Sequence, residues 1–202
     1  MLTIPEKVGE PEVLAKKFGR ELRVQRYRHP DGKVEEYSHW HVANAHPSIT
    51  FPVTVDRHVV AQWEFRYGVD RPVLEVSGGN RKPGQTLEDV ARTELLEETG
   101  YAPGELILLN GEVFPDPASL TFPQALFLAK DCVYTGGRKL DYGEYIEVEL
   151  ITLARWFHLV WTGQIKDLKT IAITMLALPY LGFYLSEAPR PPEFKVGGLK
   201  AI

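Results

Sequence analysis

A glycine-rich turn followed by a short acidic helix is the feature that most constrains this chain. The stretch from residue 78 to residue 101 reads GGNRKPGQTLEDVARTELLEETGY. Thr86 has an acidic residue, Asp89, three positions later, as in a capping box that opens a helix. Gly100 suits the left-handed residue that follows many helices. The stretch therefore predicts a turn and then a helix between Thr86 and Gly100.

The predicted helix carries acids on the face that should be buried. At about 100° per residue, Glu94 and Glu98 project onto the same stripe as the apolar residues at 87, 90 and 91, and Glu97 lies close by. Like charges three and four residues apart repel each other, and a bound cation would remove that penalty. Breaks of a local rule tend to mark functional sites. The alternative, a solvated acidic helix, is disfavoured by the glycine turn.

The residue types suit a hard divalent cation. Mg²⁺ prefers oxygen ligands and commonly combines one or two carboxylates with water and substrate phosphates. Glu94 and Glu98 lie one helical turn apart and can hold one or two such ions. The glycines at 78, 79 and 84 allow the backbone to approach a charged ligand closely. The pattern therefore favours Mg²⁺, or alternatively Mn²⁺, acting on a phosphate-containing substrate.

This stretch resembles the Nudix box, the signature of the Nudix hydrolase family. Gly79 fits the first glycine of that pattern, and the segment 94–100 fits its second half. Two positions depart: Gln85 replaces a glutamate, and Thr93 replaces an arginine that orients the glutamates in the family. The resemblance implies that metal is held by Glu94, Glu98 and the carbonyl of Gly78, and that Glu98 or Glu97 serves as a catalytic base.

Segments outside the box resemble the ADP-ribose and nucleoside-diphosphate-sugar pyrophosphatases. These are residues 64–67, 74–79, 144–148 and 163–170. The resemblance implies hydrolysis of a diphosphate that joins a nucleoside to a sugar, with a nucleoside monophosphate and a sugar phosphate as products. ADP-ribose and nucleotide hexoses are both substrates of this kind.

Glu144 is a further candidate for the general base. It follows a glycine-containing loop, residues 135–143, and shares strand parity with Ile146, Val148 and Leu150, so we expect it to point inward. The alternative is a charge at the end of the loop that pairs with Arg138 or Lys139.

Three residues are candidate substrate contacts. Arg66 can bind phosphate through two parallel hydrogen bonds, although it can equally form a surface salt bridge. Glu75 either bonds to sugar hydroxyls or supports the turn. Trp40 either stacks on a nucleobase or packs within its strand.

The order of predicted elements indicates an α+β fold, the Nudix α/β/α sandwich with a mixed sheet. Strands are predicted at 21–28, 33–42, 49–55, 58–67, 73–76, 106–113, 124–133 and 145–151, and helices at 153–161 and 168–178. The last helix shows a stripe expected to pack in the core, formed by Leu168, Ile171, Ala172, Met175 and Leu176.

Three domain-level segments are predicted. Residues 1–45 form an N-terminal strand extension, of which about the first 17 are expected to be loosely held. Residues 46–187 form the hydrolase domain, and residues 188–202 are a tail. The extension resembles the dimer-forming extension of ADP-ribose pyrophosphatases and implies a homodimer. The alternative is a hairpin that packs on its own domain.

Composition narrows the partners. The 202 residues carry a net charge of −4, which disfavours nucleic acid. The longest apolar run, residues 171–185, contains Pro179 and is too short to span a membrane. The single cysteine, Cys132, agrees with a reducing compartment, so we expect a cytoplasmic protein.

Three functional hypotheses remain. The leading one is a Mg²⁺-dependent nucleoside-diphosphate-sugar hydrolase. The second is a catalytically weak domain that binds a nucleotide as a sensor or regulator, which the departures at Gln85 and Thr93 motivate. The third is a pyrophosphatase that acts on dinucleotides or nucleoside triphosphates.

Overall fold

A three-stranded antiparallel sheet opens the chain. The computed structural model describes residues 3–183. Its first strands are β1 (Glu6–Lys17), β2 (Arg20–Arg28) and β3 (Val34–Val42), paired in that order. A tight turn with positive φ at Phe18 and Gly19 joins the first two strands. The expectation that the first 17 residues are loosely held is therefore wrong. Most β1 side chains are exposed, so the sequence of β1 shows no alternation of apolar and polar residues. Its pairing with β2 is made by backbone hydrogen bonds, which leave no pattern in the sequence.

The second sheet contains eight strands. In chain order the remaining elements are β4 (Ser48–Thr54), β5 (His58–Arg66), β6 (Arg71–Glu75), β7 (Gly78–Gly79), α1 (Leu87–Thr99), β8 (Tyr101–Ala102), β9 (Glu105–Val113), β10 (Gln124–Tyr134), β11 (Ile146–Thr152), α2 (Leu153–Trp161), α3 (Leu168–Ala177) and a 3₁₀ turn at Pro179–Leu181. The spatial order is β11-β5-β4-β10-β8, with β6 on β5, β7 on β4 and β9 on β10. Only β4 and β10 run parallel, so the sheet is mixed.

The central strand β4 shows how the helices are layered. Successive side chains of a strand point to opposite faces. Ser48 and Thr50 bond to backbone carbonyls of α1, whereas Ile49, Phe51 and Val53 pack in the core with residues of α2 and α3. Helices therefore cover both faces of the sheet, which is the predicted α/β/α sandwich. Within residues 3–183, no helix is long and apolar enough to cross a membrane.

The predicted core stripe of α3 is wrong at three of its five positions, although Ile171 packs against the core and Ala172 is half-buried. Leu168 is 66% exposed, and Met175 and Leu176 are also exposed. The buried residues are Thr170, Ile173, Thr174 and Ala177. The two threonines are tolerated there because their hydroxyl groups find partners: Thr174 accepts a hydrogen bond from Trp156 Nε1 at 3.0 Å. The predicted terminators hold, because Asp167 caps the helix and Pro179 follows its end.

The predicted tail, residues 188–202, and the last residues of the predicted hydrolase domain lie outside the described residues. The N-terminal sheet ends at Val42, and β4 begins at Ser48. The two sheets meet through the segment around residue 120, where Trp40 forms a bridge with Leu120. The division at residue 45 stays a prediction.

Candidate active site

Helix α1 forms as its sequence signals predict. Thr86 and Asp89 make the reciprocal capping box, and Gly100 adopts the left-handed conformation with a φ of 79°. Val90, Ala91 and Leu95 are fully buried against the sheet. Glu98 shares that face and is only 4% exposed. The acid on the buried face, which singled out this helix in the sequence, is therefore a real feature of the fold.

The glycine turn lies directly against the helix carboxylates. β7 pairs with β4, which places its backbone beneath α1. A Cβ atom at Gly79 would overlap the carboxylate of Glu94, so a side chain there would force that carboxylate out of its position. The backbone N–H of Gly78 donates to Oε2 of Glu98 at 3.1 Å. The structure thus brings together Gly78, Glu94 and Glu98, the three predicted metal ligands.

Strand β5 adds two polar side chains that the sequence analysis did not assign to the site. Gln62 is fully buried and Glu64 nearly so. The amide nitrogen of Gln62 lies 3.2 Å from Oε2 of Glu98 and 3.3 Å from Oε2 of Glu64. The available signal was strand parity, since Gln62, Glu64 and Arg66 alternate along one face of β5.

Arg66 is fixed by two acids beside the site. Its Nη1 lies 2.8 Å from Oε1 of Glu64, and its Nε donates to Oε1 of Glu75 at 2.7 Å. Glu75 is 1% exposed, and its second oxygen accepts from Nζ of Lys169 at 2.7 Å. Glu75 therefore holds Arg66 and Lys169 in place, and its contact with sugar hydroxyls stays a prediction. Lys169 was not predicted as a site residue.

A cavity of about 610 Å³ extends from the glycine turn. Arg66 and Lys169 line it on one side, together with the backbone of the turn. Trp40, which is 47% exposed, lines it along with Phe18 and Phe122. The cavity therefore offers cationic groups near the carboxylates and aromatic surface farther away, which suits a ligand with a charged and an aromatic part.

A larger cleft, of about 1190 Å³, is separate from the glycine turn and from Arg66 and Lys169. It is lined by Trp63, Phe65 and Tyr67. These residues have the opposite parity to Gln62 and Glu64 on β5, so their side chains lie on the other face of the sheet. Size alone would select this cleft, but the glycine turn, Arg66 and Lys169 line the smaller cavity.

Glu144 lies in the loop before β11 and not on the strand. Its Oε2 accepts from the backbone N–H of Asp141 at 2.8 Å, and no described ion pair joins it to Arg138 or Lys139. The strand parity used for it holds at Ile146 and Val148 but fails at Leu150, which is 48% exposed whereas Ile151 is buried.

The loop that carries Glu144 is attached to the end of α1. Arg138 Nε donates to the carbonyl of Glu98, and the N–H of Lys139 donates to the carbonyl of Glu97, both at 2.8 Å. The charges of Glu144 and Asp141 contribute to a raised pKa at Glu94. Glu144 itself lines the larger cleft with Trp63 and Phe65, and a bond within its own loop holds it. Glu97 is half-buried beside Glu94.

The site carries more negative than positive charge. Four carboxylates, of Glu64, Glu75, Glu94 and Glu98, face three cations: Arg66 and Lys169 pair with Glu64 and Glu75, and the charge of Lys82 acts on Glu94. Burial raises the pKa of Glu98 to about 8, and the neighbouring Glu64 charge adds to this. Burial likewise raises the pKa of Glu94 to about 7 and is the main cause of the upward shift of the Glu64 pKa. A divalent cation would compensate this excess.

The donor set fits an ion that keeps open positions. Within residues 3–183, no group of three or more His, Cys, Asp or Glu side chains is arranged to hold a metal ion without other ligands. Two carboxylates and a backbone carbonyl instead suit Mg²⁺ or Mn²⁺, which fills its other positions with water and substrate phosphates.

Known proteins agree with this picture. No family model matches the chain. It is 27% identical over 173 residues to an ADP-ribose pyrophosphatase of Bacillus subtilis (strain 168), covering 84% of this chain and 91% of the relative. The predicted resemblance to ADP-ribose pyrophosphatases is confirmed. A solved structure of an ADP compounds hydrolase superposes with a TM-score of 0.80 at 20% identity, covering 90% of this chain and 96% of the other. This likeness confirms the predicted α+β fold.

Proposed function

We propose that this protein is a Mg²⁺-dependent hydrolase that cleaves the diphosphate of ADP-ribose or a related nucleoside-diphosphate sugar. The products are a nucleoside monophosphate and a sugar phosphate. The observation that carries the proposal is the excess of buried carboxylate charge against the glycine turn, at the edge of a cavity with cationic and aromatic walls. Both relatives, an ADP-ribose pyrophosphatase and an ADP compounds hydrolase, support an enzyme that acts on pyrophosphate bonds.

Glu94, Glu98 and the carbonyl of Gly78 would hold the metal. Mg²⁺ bound there supplies charge neutralisation for the diphosphate and lowers the pKa of the attacking water. Mn²⁺ has the same ligand preference and is expected to substitute.

The chain's own residues orient the substrate. Arg66 and Lys169 present guanidinium and ammonium groups to the cavity, and charge-assisted bonds from such groups fix phosphate oxygens. Glu75 keeps both cations aimed at the cavity through its two oxygens. Trp40 offers an exposed aromatic face on which a nucleobase stacks. A ligand spanning both walls has a charged centre and an aromatic end, as ADP-ribose does.

Three glutamates are candidates to accept the proton of the attacking water. A general base must reach that water within hydrogen-bond distance. Glu98 is committed to the metal site by its contacts with Gly78 and Gln62. Glu97 is the residue before Glu98 and is half-buried, and Glu144 lies in a loop attached to the end of α1. Glu97 and Glu144 are therefore the candidates to separate by substitution.

The two alternatives are less well supported. A sensor that only binds a nucleotide gains nothing from unbalanced carboxylates on a buried helix face, since they cost stability without a cation. A dinucleotide or a nucleoside triphosphate shares the diphosphate chemistry, but the names of both relatives refer to ADP-linked substrates.

We also propose a cytoplasmic homodimer with no nucleic-acid or membrane partner. The N-terminal sheet exposes Val13, Leu14, Val34 and Tyr37, and apolar surface of this kind suits a second copy of the chain. Light scattering during gel filtration measures the mass in solution. A monomer at micromolar concentration would contradict the dimer and leave the catalytic proposal intact.

The decisive experiment is a turnover assay across a substrate panel. Phosphate release, coupled to a phosphatase, would be measured with ADP-ribose, GDP-mannose and UDP-glucose in Mg²⁺, in Mn²⁺ and in chelator. Metal-dependent turnover, with ADP-ribose among the best substrates, is the expected result. Binding of ADP-ribose without turnover in either metal would contradict the hydrolase proposal and favour the sensor.

A further inference from the structure

The side chain of Gln62 joins two buried acids from different elements. It lies on β5, is 0% exposed, and places its amide nitrogen 3.2 Å from Glu98 of α1 and 3.3 Å from Glu64 of its own strand. No other side chain of the described residues donates a hydrogen bond to Glu98; the second donor is the backbone N–H of Gly78. Gln62 is thus the one side-chain support of that carboxylate.

The chemistry of the neighbours fixes the direction of the amide. A bound cation keeps the carboxylates ionised, and ionised carboxylates only accept hydrogen bonds, so the NH₂ group of Gln62 then has to face them and its carbonyl has to point away. That carbonyl oxygen, Oε1, is buried and has no partner among residues 3–183. A buried unpaired acceptor costs about 1–3 kcal/mol. Packing alone would favour an apolar side chain here, so the amide needs another explanation.

The two donors leave half of the Glu98 carboxylate available. Gly78 and Gln62 both reach Oε2, and no described donor reaches Oε1. Two donors from different directions prevent rotation of the carboxylate and leave Oε1 for another ligand. Groups that orient a metal ligand in this way typically affect metal affinity or activity by about 10- to 100-fold when they are removed.

We propose that Gln62 is a positioning residue of the metal site: its amide fixes the orientation of the Glu98 carboxylate and holds Glu64 beside it. The proposal rests on the metal site of the proposed function and is independent of which substrate is hydrolysed.

Gln62→Met tests the proposal because it removes the donor while keeping the length of the side chain. Mn²⁺ binding would be measured without substrate, by electron paramagnetic resonance of the free ion, together with circular dichroism and thermal unfolding. The expected result is a dissociation constant raised by about 10- to 100-fold in a folded protein. Turnover should fall at low metal concentration and recover partly at saturating metal.

Gln25→Met is the matched control. Gln25 is another buried glutamine, 4% exposed, whose amide donates to the backbone carbonyl of Gly9 in the N-terminal sheet. The same chemical change there should leave Mn²⁺ affinity unchanged. An equal loss of affinity in both variants would mean a general effect of losing a buried amide, and would overturn the proposal.

Glu98→Gln distinguishes a failure of the Gln62 proposal from a failure of the metal-site assignment. If it loses Mn²⁺ affinity while Gln62→Met binds as tightly as the wild type, Gln62 does not position the ligand. If Glu98→Gln also keeps wild-type affinity, the metal site itself is misassigned. Should Gln62→Met not fold, Gln62→Asn keeps a polar amide but is one methylene too short to reach both acids. It should show the same loss of affinity, and wild-type affinity in that variant would also overturn the proposal.

Discussion

Helices α1 and α3 bury polar side chains against opposite faces of one sheet, but the buried groups differ in how far their charge and hydrogen bonds are satisfied. On α3, Thr170 donates to Asp167 and accepts from the N–H of Val76, and Thr174 bonds to Trp156 and to a backbone carbonyl. On α1, Glu98 receives two hydrogen bonds on one oxygen and lies among other acids. The polar groups of α3 are satisfied by the fold itself, whereas α1 retains unbalanced charge.

This difference distinguishes a structural from a functional buried polar group. Burying a hydroxyl costs little once it is hydrogen-bonded, so the threonines of α3 need no ligand. Burying several carboxylates with too few cations is costly until a cation arrives. Changes at the acids of α1 should therefore affect metal binding and turnover, and changes at the buried threonines of α3 should affect stability alone.

The largest expected effect is the loss of turnover in Glu98→Gln. The change keeps the shape of the side chain and removes a negative ligand, and the metal supplies several kcal/mol of transition-state stabilisation. Turnover should fall by about 10²- to 10⁴-fold, since about 1.4 kcal/mol is a factor of ten. Metal-dependent hydrolysis of ADP-ribose is the measurement, with circular dichroism as the check on folding. Full activity would remove the distinction between the two helices.

The next effect concerns stability against pH without metal. Burial raises the pKa of Glu98 to about 8 and that of Glu94 to about 7, above the 4.5 of the unfolded chain. Between these values the folded state binds more protons, so stability falls as pH rises.

Thermal unfolding in chelator should therefore show Tm declining from pH 5.5 to pH 8, by several degrees, because 1 kcal/mol corresponds to about 2–4 °C for a domain of this size. Mg²⁺ should restore more stability at pH 8 than at pH 5.5, and Glu98→Gln should flatten the decline. A Tm that rises over this interval in chelator would contradict the assignment of unbalanced charge to α1.

Thr174→Val tests the other helix. It leaves the indole N–H of Trp156 buried without its acceptor, and such a loss costs about 1–3 kcal/mol of unfolding free energy. Denaturant unfolding measures the cost, and turnover at saturating Mg²⁺ should stay at the wild-type value. Thr174→Ser, which keeps the hydroxyl, is the control and should lose less stability. A large loss of turnover with little loss of stability would show that Thr174 acts in catalysis and not only in packing.

The same contrast explains what the sequence revealed. Capping residues, the glycine turn and the acids of α1 are local signals, and the structure reproduces them from Thr86 to Gly100. The buried face of α3 was wrong because almost every residue of that helix is apolar or threonine, so periodicity alone did not select a face. β1 was missed because its pairing is made by the backbone and most of its side chains are exposed.

The rest of the site depends on contacts between distant segments. Glu75 and Lys169 are 94 residues apart in the chain, and Gln62 and Glu98 are 36 apart. No local pattern shows that Glu75 is buried behind two cations, so the sequence left open whether it contacts substrate or supports the turn. Glu144 was placed on a strand by parity, but the strand begins two residues later, at Ile146.

The smallest expected effect is that of Thr93→Arg, which restores the arginine of the Nudix pattern. Gln62 and Gly78 already orient Glu98, so turnover should change by less than about threefold, or ~0.6 kcal/mol in the barrier. In the Gln62→Met background the same change should raise turnover more, because the arginine would then supply a missing donor. The measurement is a double-mutant cycle on the rate at subsaturating Mg²⁺. A tenfold gain from Thr93→Arg alone would mean that the support of α1 by β5 is incomplete. Purely additive effects would mean that arginine and glutamine act on different groups.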